Sequence, residues 1–529
     1  MNNPNHRPRR LRLVDPDQRR GLGGKVIGVA NAGHRVKVGI SLPDTRHHLH
    51  LLGPTGTGKS SLLLRMILDD AANGRGVAVF DPKGDLIRDL LARLPAACGD
   101  RLVIIDPDET TAPPALNLLD PVTGGGSPHN VAAHVTGVMA KVWSRWWGHR
   151  TADITHHALL TLAHTPGATL AHLPRLLSDY HWRHRRVAAA TRRIGTWQAG
   201  TLAEFWDGFD VLPPGHRASL TAPLLAKLRL VLTHPLAAGL FGVPATTFTL
   251  ADILDGGILL ARLPKGSLGE DGCRLVGSLL LAGLWQATAA RSRSPEDQRL
   301  DCAVVVDECH NFLHLPIGID DALAEARGLR TSFVLAHQYL GQLSHEMAEA
   351  IDANARNKVY FALAPRDAAD QARHVRPWLD DGDLTRLGGF EVVLRSVAGG
   401  RVIPPVTADT LPPPRPVPGR AERLRQAARE RTGLETERRR ILLGEATIDP
   451  GVPEPEQPRS ASMPMSTVGH NTFVPDAVNA VNVGPNECSN EESNEESNDD
   501  EHSPQQSELN TPPAWANGPE EDWWTGSDS

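Results

Sequence analysis

The sequence predicts an α/β fold: a parallel-rich central sheet, an all-α insertion that interrupts it, and a disordered acidic tail. Three observations lead there. Apolar strand patterns alternate with helix patterns over 47–127 and again over 236–412, as a parallel sheet with crossover helices requires. Between them, 128–235 is helix-like throughout. After 448 the chain turns to Pro, Ser, Asn and Glu, a composition that cannot bury enough apolar surface to offset its ordering entropy.

Taken in order, residues 1–24 are rich in Asn, Pro and Arg and lack the apolar centre of a signal peptide. They read as a disordered basic start. Residues 25–43 alternate at Val26, Ile27, Val29, Val36, Val38 and Ile40, which predicts a strand or hairpin. A short strand over 47–52 runs into the loop Gly53-Pro54-Thr55-Gly56-Thr57-Gly58-Lys59-Ser60-Ser61. Helical spacing follows at Leu62, Leu63, Met66 and Ile67. Strands are predicted at 76–80, ending in Asp81-Pro82-Lys83-Gly84-Asp85, and at 102–105. Gly124-Gly125-Gly126-Ser127-Pro128 is a flexible break. Strand patterns resume at 257–263, 302–306, 331–336 and 358–363, with a long apolar helix over 273–290. The resulting units are 1–24, the α/β unit 25–127 with 236–412, the insertion 128–235, a charged helical segment 413–448, and the tail 449–529.

Five scattered cysteines (Cys98, Cys273, Cys302, Cys309, Cys488) form no Cys-x-x-Cys pair, so neither a disulfide framework nor a cysteine zinc site is expected. No uninterrupted apolar run of about 18 residues occurs, and no transmembrane helix is expected. The net charge of −7 hides an asymmetry: residues 449–529 hold 17 acids and a single base, Arg459. The body is therefore basic, which favours a polyanionic partner. Trp515, Trp523 and Trp524 among acids read either as a short docking peptide or as part of an inert tail.

The chemistry starts at the glycine loop. Binding a phosphate needs many N–H donors converging on one anion, and a curled glycine backbone opening a helix supplies them. Gly53, Pro54, Thr55, Gly56, Thr57, Gly58, Lys59, Ser60 and Ser61 form that cradle. Lys59 is expected to reach the β- and γ-phosphates of ATP, and Ser60 to ligate Mg²⁺. Val304-Val305-Val306-Asp307-Glu308 ends a buried strand with two carboxylates. Asp307 is expected on the Mg²⁺ side and Glu308 as the base that polarises water. Gln338 follows a further strand, where it could sense the γ-phosphate. Arg327 and Arg330 precede that strand and read as an arginine finger or as solvated arginines. Lys83 and Asp85 read first as turn residues and second as lining the nucleotide site or a pore. The insertion interleaves Arg183, Arg185, Arg186, Arg192 and Arg193 with Trp143, Trp146, Trp147, Trp182 and Trp197, residue types that neutralise phosphates and stack on bases. The competing reading is a solvated face over a small core.

Together with Phe80-Asp81-Pro82-Lys83-Gly84-Asp85, Ala115-Leu116-Asn117-Leu118-Leu119-Asp120-Pro121 and Ala336-His337-Gln338, these motifs resemble the type IV secretion coupling proteins. These are TraG/TraD-like conjugative DNA-transfer ATPases of the HerA/FtsK group, and the likeness spans roughly 25–405. The resemblance implies a RecA-like P-loop NTPase domain, a homo-hexameric ring, and a catalytic set Lys59, Asp307, Glu308 and Gln338. It places the arginine finger on Arg327, with Arg330 second. Most members of that family carry N-terminal transmembrane helices, which are not seen here. A cytoplasmic chain is then expected: a soluble member, one docked at the inner face of the membrane on a separate membrane or channel component, or one that has left conjugation for another DNA-handling role.

The function expected is an ATP-hydrolysing DNA translocase that delivers DNA, or a relaxase–DNA complex or other secreted substrate, to a conjugation channel. Two alternatives stand beside it. One is a HerA/FtsK-type motor in chromosome processing or phage defence. The other is an ATP-gated adaptor that recruits protein substrates.

Overall fold

A computed structural model describes residues 24–120 and 126–447. The expectations for the basic start, for the first glycines of the break, and for the acidic tail with its tryptophans lie outside the described residues. The strands are β1 (Lys25–Ala30), β2 (Lys37–Ile40), β3 (Leu49–Leu52), β4 (Gly76–Asp81), β5 (Leu102–Ile105), β6 (Ile258–Arg262), β7 (Cys302–Val306), β8 (Thr331–His337), β9 (Asn357–Tyr360), β10 (Glu391–Arg395), β11 (Val397–Ala398), β12 (Arg401–Val402) and β13 (Val406–Thr410).

Eleven strands form one sheet in the order β2-β1-β13-β10-β9-β3-β8-β7-β4-β6-β5, and β11 pairs with β12 in a separate ribbon. From β9 to β5 the strands run parallel. The other four extend the sheet antiparallel. The sequence reading ended the sheet at 358–363 and missed β10 and β13. Both are only five residues long, and β13 alternates small and polar side chains (Val-Thr-Ala-Asp-Thr). Their pairing with β1 and β9 is long-range and leaves little local signal.

The parallel strands are buried on both faces, so they read as unbroken apolar runs. Their side chains still divide by the two-residue period. Val77 and Val79 of β4 enter one core, with the helix Lys59–Ala72. Ala78 and Phe80 enter the other. That second core is continuous with the insertion. Its helices (Pro128–Val142, His149–Ala163, Leu173–Ser178, Tyr180–Thr191, Thr196–Val211, Pro214–Leu232 and Pro235–Phe241) bury Val135, Met139, Leu159 and Trp206 in the same cluster as Phe80, Val304 and Val306.

The helix Lys265–Ala290 starts eight residues before the predicted 273, with non-helical backbone at Gly269 (φ 68°). It has the length and hydropathy of a membrane span, yet its apolar positions lie in the core shared by sheet and insertion. Near the C-terminal end of the described residues, the helices Arg420–Thr432 and Thr436–Thr447 follow. The first buries Leu424 and Ala428 against the sheet. It is pinned by Arg425 to Asp106 (2.9 Å), Arg429 to Glu109 (2.7 Å) and Arg431 to Asp100 (2.7 Å). It therefore covers β5, the edge strand.

Candidate nucleotide site

The loop Gly53–Ser60 joins β3 to the helix Lys59–Ala72. Two glycines are sterically required there. A Cβ on Gly53 would lie 2.6 Å from the Phe361 Cβ. Gly58 has φ 114°, and a Cβ on it would lie 2.7 Å from the Phe390 ring. No side chain caps the helix start at Gly58, so its first N–H groups and dipole face the loop. The loop is braced from within by Thr57, whose hydroxyl donates to the Pro54 carbonyl (2.9 Å). It is braced from outside by Phe390, whose N–H donates to the Thr57 carbonyl (2.9 Å). Ser60 is exposed and Ser61 half-buried at the helix start.

Order in the sheet decides what meets this loop. β3 is flanked by β8, and β8 by β7 and then β4. The carboxyl ends of these parallel strands therefore bring Gln338, then Asp307 and Glu308, then Asp81 beside the glycine loop. Lys59 is buried, with its ammonium 3.7 Å from both Asp307 Oδ1 and Glu308 Oε1. Glu308 has φ 47° and ψ 55°, a left-handed conformation unusual for a non-glycine residue and typical of strained functional positions. Its peptide N–H donates to Asp307 Oδ1 (3.1 Å), and its carbonyl accepts from the Asn311 side chain (2.8 Å).

Glu308 is the hub. Its Oε1 accepts from Gln338 Nε2 (2.5 Å) and from Lys83 Nζ (2.7 Å), and its Oε2 from Gln342 Nε2 (3.4 Å). Gln338 is oriented at its other end, where Oε1 accepts from the Thr55 hydroxyl (3.1 Å). Burial alone would push the Glu308 carboxyl up, but the donors Lys83 and Gln338 and the Lys59 charge hold it below the usual range. Asp307 goes the other way. Burial pushes its carboxyl up and the neighbouring Glu308 adds to this, with Lys59 only partly opposing. A cation placed between Ser60 and Asp307 would relieve that penalty, so the donor set fits a metal-bound phosphate. Gln342 and Phe390 were not assigned to the site from sequence, and Lys83 was placed there only as the second reading after a turn. Lys83 was read first as a turn residue, and the turn exists: Asp81 accepts from the N–H groups of Lys83 (2.9 Å), Gly84 (2.7 Å) and Ile87 (3.2 Å). That turn is what aims Lys83 at Glu308.

Comparison with known proteins bears on this arrangement. Residues 24–132 match the family model of the HerA helicase central domain. The plasmid coupling protein TrwB, solved with ADP and Mg²⁺, superposes with a TM-score of 0.52 at 17% identity, over 78% of this chain and 96% of that one. TrwB lacking its first 70 residues, in complex with sulphate, gives 0.53 at 16% identity over 78% and 96%. VirB4 of Thermoanaerobacter pseudethanolicus gives 0.50 at 15% identity over 76% and 98%. The chain has the P-loop fold of TrwB and VirB4. No curated protein matches it in sequence.

On this coupling-protein fold the remaining expected residues separate. Arg327 is exposed at the end of the helix Ile319–Gly328, and Arg330 precedes β8. β8 carries Gln338 at its other end, so Arg327 stands on the order of 20 Å from its own chain's glycine loop at about 3.3 Å per strand residue. Arg330 is committed elsewhere: its guanidinium donates to the Arg299 carbonyl (3.0 Å) and faces Glu296 (3.7 Å). In the insertion, Arg183 is buried, paired with Asp210 and packed on Trp206 and Phe209. Trp143 and Trp182 are core residues. Arg185, Arg192, Arg193, Trp146 and Trp197 are exposed. The basic run thus divides into one structural arginine and an outward cationic face.

Proposed function

We propose that this ATPase is a DNA translocase that works as a homo-hexameric ring. It delivers DNA, or a relaxase–DNA complex, to a type IV secretion channel. The single observation that carries the reading is Glu308, gripped between Gln338 and Lys83 beside Lys59, at the mouth of a glycine loop. In that frame Ser60 and Asp307 would hold Mg²⁺, which would neutralise phosphate charge when bound. Lys59 takes the β- and γ-phosphate oxygens, Glu308 accepts a proton from the attacking water, and Gln338 orients that water. Arg327, remote from its own site and exposed, serves the nucleotide bound by the next subunit. The outward arginines of the insertion take the DNA backbone.

The fold likeness to TrwB and VirB4 supports the assignment to secretion. The reading also places the chain in the cytoplasm, at the inner face of the membrane through a separate membrane component. The HerA match over 24–132 favours a second reading, a motor in chromosome processing or phage defence. Hydrolysis by the purified chain should rise on adding DNA, and a mixture of Lys59→Ala and Arg327→Ala subunits should regain hydrolysis that neither has alone. Equal rates with and without DNA would sink the motor reading. Failure of the mixture to complement would sink the role of Arg327.

A further inference from the structure

One of the two oxygens with which Glu308 could take a proton from water is already doubly engaged: Oε1 receives Gln338 at 2.5 Å and Lys83 at 2.7 Å. Gln338 is a neutral donor, which leaves the carboxylate its charge but fixes its direction. Lys83 is different. It is a cation, it caps the same oxygen, and its side chain is 44% exposed where that of Glu308 is 4% exposed. Lys83 therefore reaches from solvent into the site, and its ammonium has two possible counter-charges: the buried carboxylate, or an anion outside.

The surroundings favour an anion outside. The Asp81–Gly84 turn fixes the backbone of Lys83, while its four-carbon stem can swing. Next to it the Lys265 N–H donates to the Pro82 carbonyl (3.3 Å). Lys265 opens the helix that bends at Gly269. Arg274 lies one turn beyond the bend and is paired with the exposed Glu270 (2.7 Å). His310, 4.0 Å from Glu308 Oε2, feels this cluster. Burial first, then the charges of Lys265, Arg274 and Lys83, hold its imidazole neutral, against the opposing pull of Glu308. The facing acids Asp81 and Asp307 are buried, and Asp81 is spent on turn N–H groups. Lys83 thus stands beside the carboxylate with the charges of Lys265 and of Arg274, the latter paired with Glu270, in the same neighbourhood.

We propose that Lys83 is the brake on Glu308 and that a phosphodiester backbone releases it. In the braked arrangement the charge of the Glu308 carboxylate is neutralised by Lys83, which makes it a weaker proton acceptor. When nucleic-acid phosphates occupy the Lys83–Lys265–Arg274 rim, the Lys83 ammonium exchanges carboxylate for phosphate. Glu308 then keeps Gln338 and gains a free lone pair for water. No bond is made or broken in the switch; one ion pair is exchanged for another, so its balance depends on salt. Lys83 is a positioning residue in this scheme, since it touches the base and not the reacting water. The inference rests on the proposed reading of Glu308 as base and DNA as partner.

The test uses the full chain, wild type, Lys83→Ala and Lys83→Arg. Steady-state hydrolysis and the affinity of a fluorescent ATP analogue are measured with no polymer, with DNA, and with heparin as a polyanion lacking phosphodiesters. Lys83→Ala should raise the DNA-free kcat by roughly tenfold, the scale of one displaced ion pair, with KM and analogue affinity little changed. It should also lose stimulation by DNA. Lys83→Arg, which keeps the cation, should stay slow and stimulable. The brake is overturned if Lys83→Ala lowers kcat with and without DNA, or is stimulated by the same factor as wild type. Stimulation of wild type by heparin to the same extent as by DNA would overturn the phosphodiester part. A faster Lys83→Ala beside a wild type that ignores every polymer would keep the brake and sink the DNA-motor reading.

Discussion

Gln338 donates to Glu308 across 2.5 Å from the tip of the neighbouring strand, while Thr55 of the glycine loop holds its other end. The amide thus ties the glycine loop to the proposed base. Gln338→Ala frees one end of the Glu308 carboxylate and breaks the link to the loop. The expected outcome is a drop in kcat on the order of 10²-fold with analogue affinity nearly kept, the range of a lost general-base alignment. Paired kcat and binding measurements check this, and a loss confined to KM would contradict it.

Glu308→Gln removes the proposed base while keeping its shape and its acceptor oxygen. Hydrolysis should fall by roughly 10²–10⁴-fold, and nucleotide should remain bound. Lys59→Ala is expected to behave differently. It leaves Asp307 and Glu308 side by side without the cation 3.7 Å from both. Nucleotide binding itself should weaken, and the Asp307 carboxyl should rise further. A fluorescence titration of both variants separates the two outcomes.

Buried histidines set an acid limit on stability. His48 donates from Nε2 to the Leu323 carbonyl (2.7 Å) and accepts at Nδ1 from the Phe333 N–H (3.0 Å), which fixes a neutral tautomer. His337 donates from Nδ1 to the Tyr339 carbonyl (3.0 Å), so its Nε2 must accept from His50 (2.7 Å). Burial lowers His48 and His337 from 6.5 to about 4, and His50 falls in the same direction. Between about 4 and 6.5 the unfolded chain therefore binds more protons than the folded one, and stability declines as pH falls through that window. Denaturant melts from pH 7.5 to 4.5 should show this slope, and His48→Gln should flatten it. An unchanged slope would remove His48 from the account.

Arg183 and its neighbours should part company. Arg183→Ala breaks a buried pair with Asp210 and empties a stack on Trp206 and Phe209, at a cost of about 3–5 kcal/mol. Arg185→Ala and Arg192→Ala touch only solvent-facing positions. Each should leave the melting temperature in place, weaken DNA binding, and reduce its salt slope by about one. Thermal melts and salt-titrated binding distinguish the classes.

The glycine loop, the strand before it and the Asp307-Glu308 strand end were legible because each is local: a spacing, an apolar run, a breaker. Gln338 was legible as the end of a strand. Lys83 was legible only as one of two readings, a turn or a site-lining residue, because what decides its role is the adjacency of β4 and β7, strands more than 200 residues apart in sequence. Phe390 was missed for the same reason, since only the antiparallel extension through β10 and β13 brings it over the loop. Arg183 looked like its neighbours in composition, and only the Asp210 partner 27 residues away sets it apart. The helix Lys265–Ala290 began earlier than its apolar pattern because its first turns face outward.

The core that joins the insertion to the sheet has a mechanical consequence. Phe80 and Val306 lie in the cluster that also holds Val135, Met139 and Trp206, and each stands one residue before a site carboxylate, Asp81 or Asp307. The helical layer is therefore no hinged lid. It acts as a stiff handle on the two strands that carry the site, and a close-packed interior of this kind transmits strain rather than absorbing it. A load pulled against the outer arginines would be felt as a shift of Asp307 relative to the glycine loop. On the proposed translocase reading, drag on the cargo and the rate of fuel consumption would then be set by the same piece of structure.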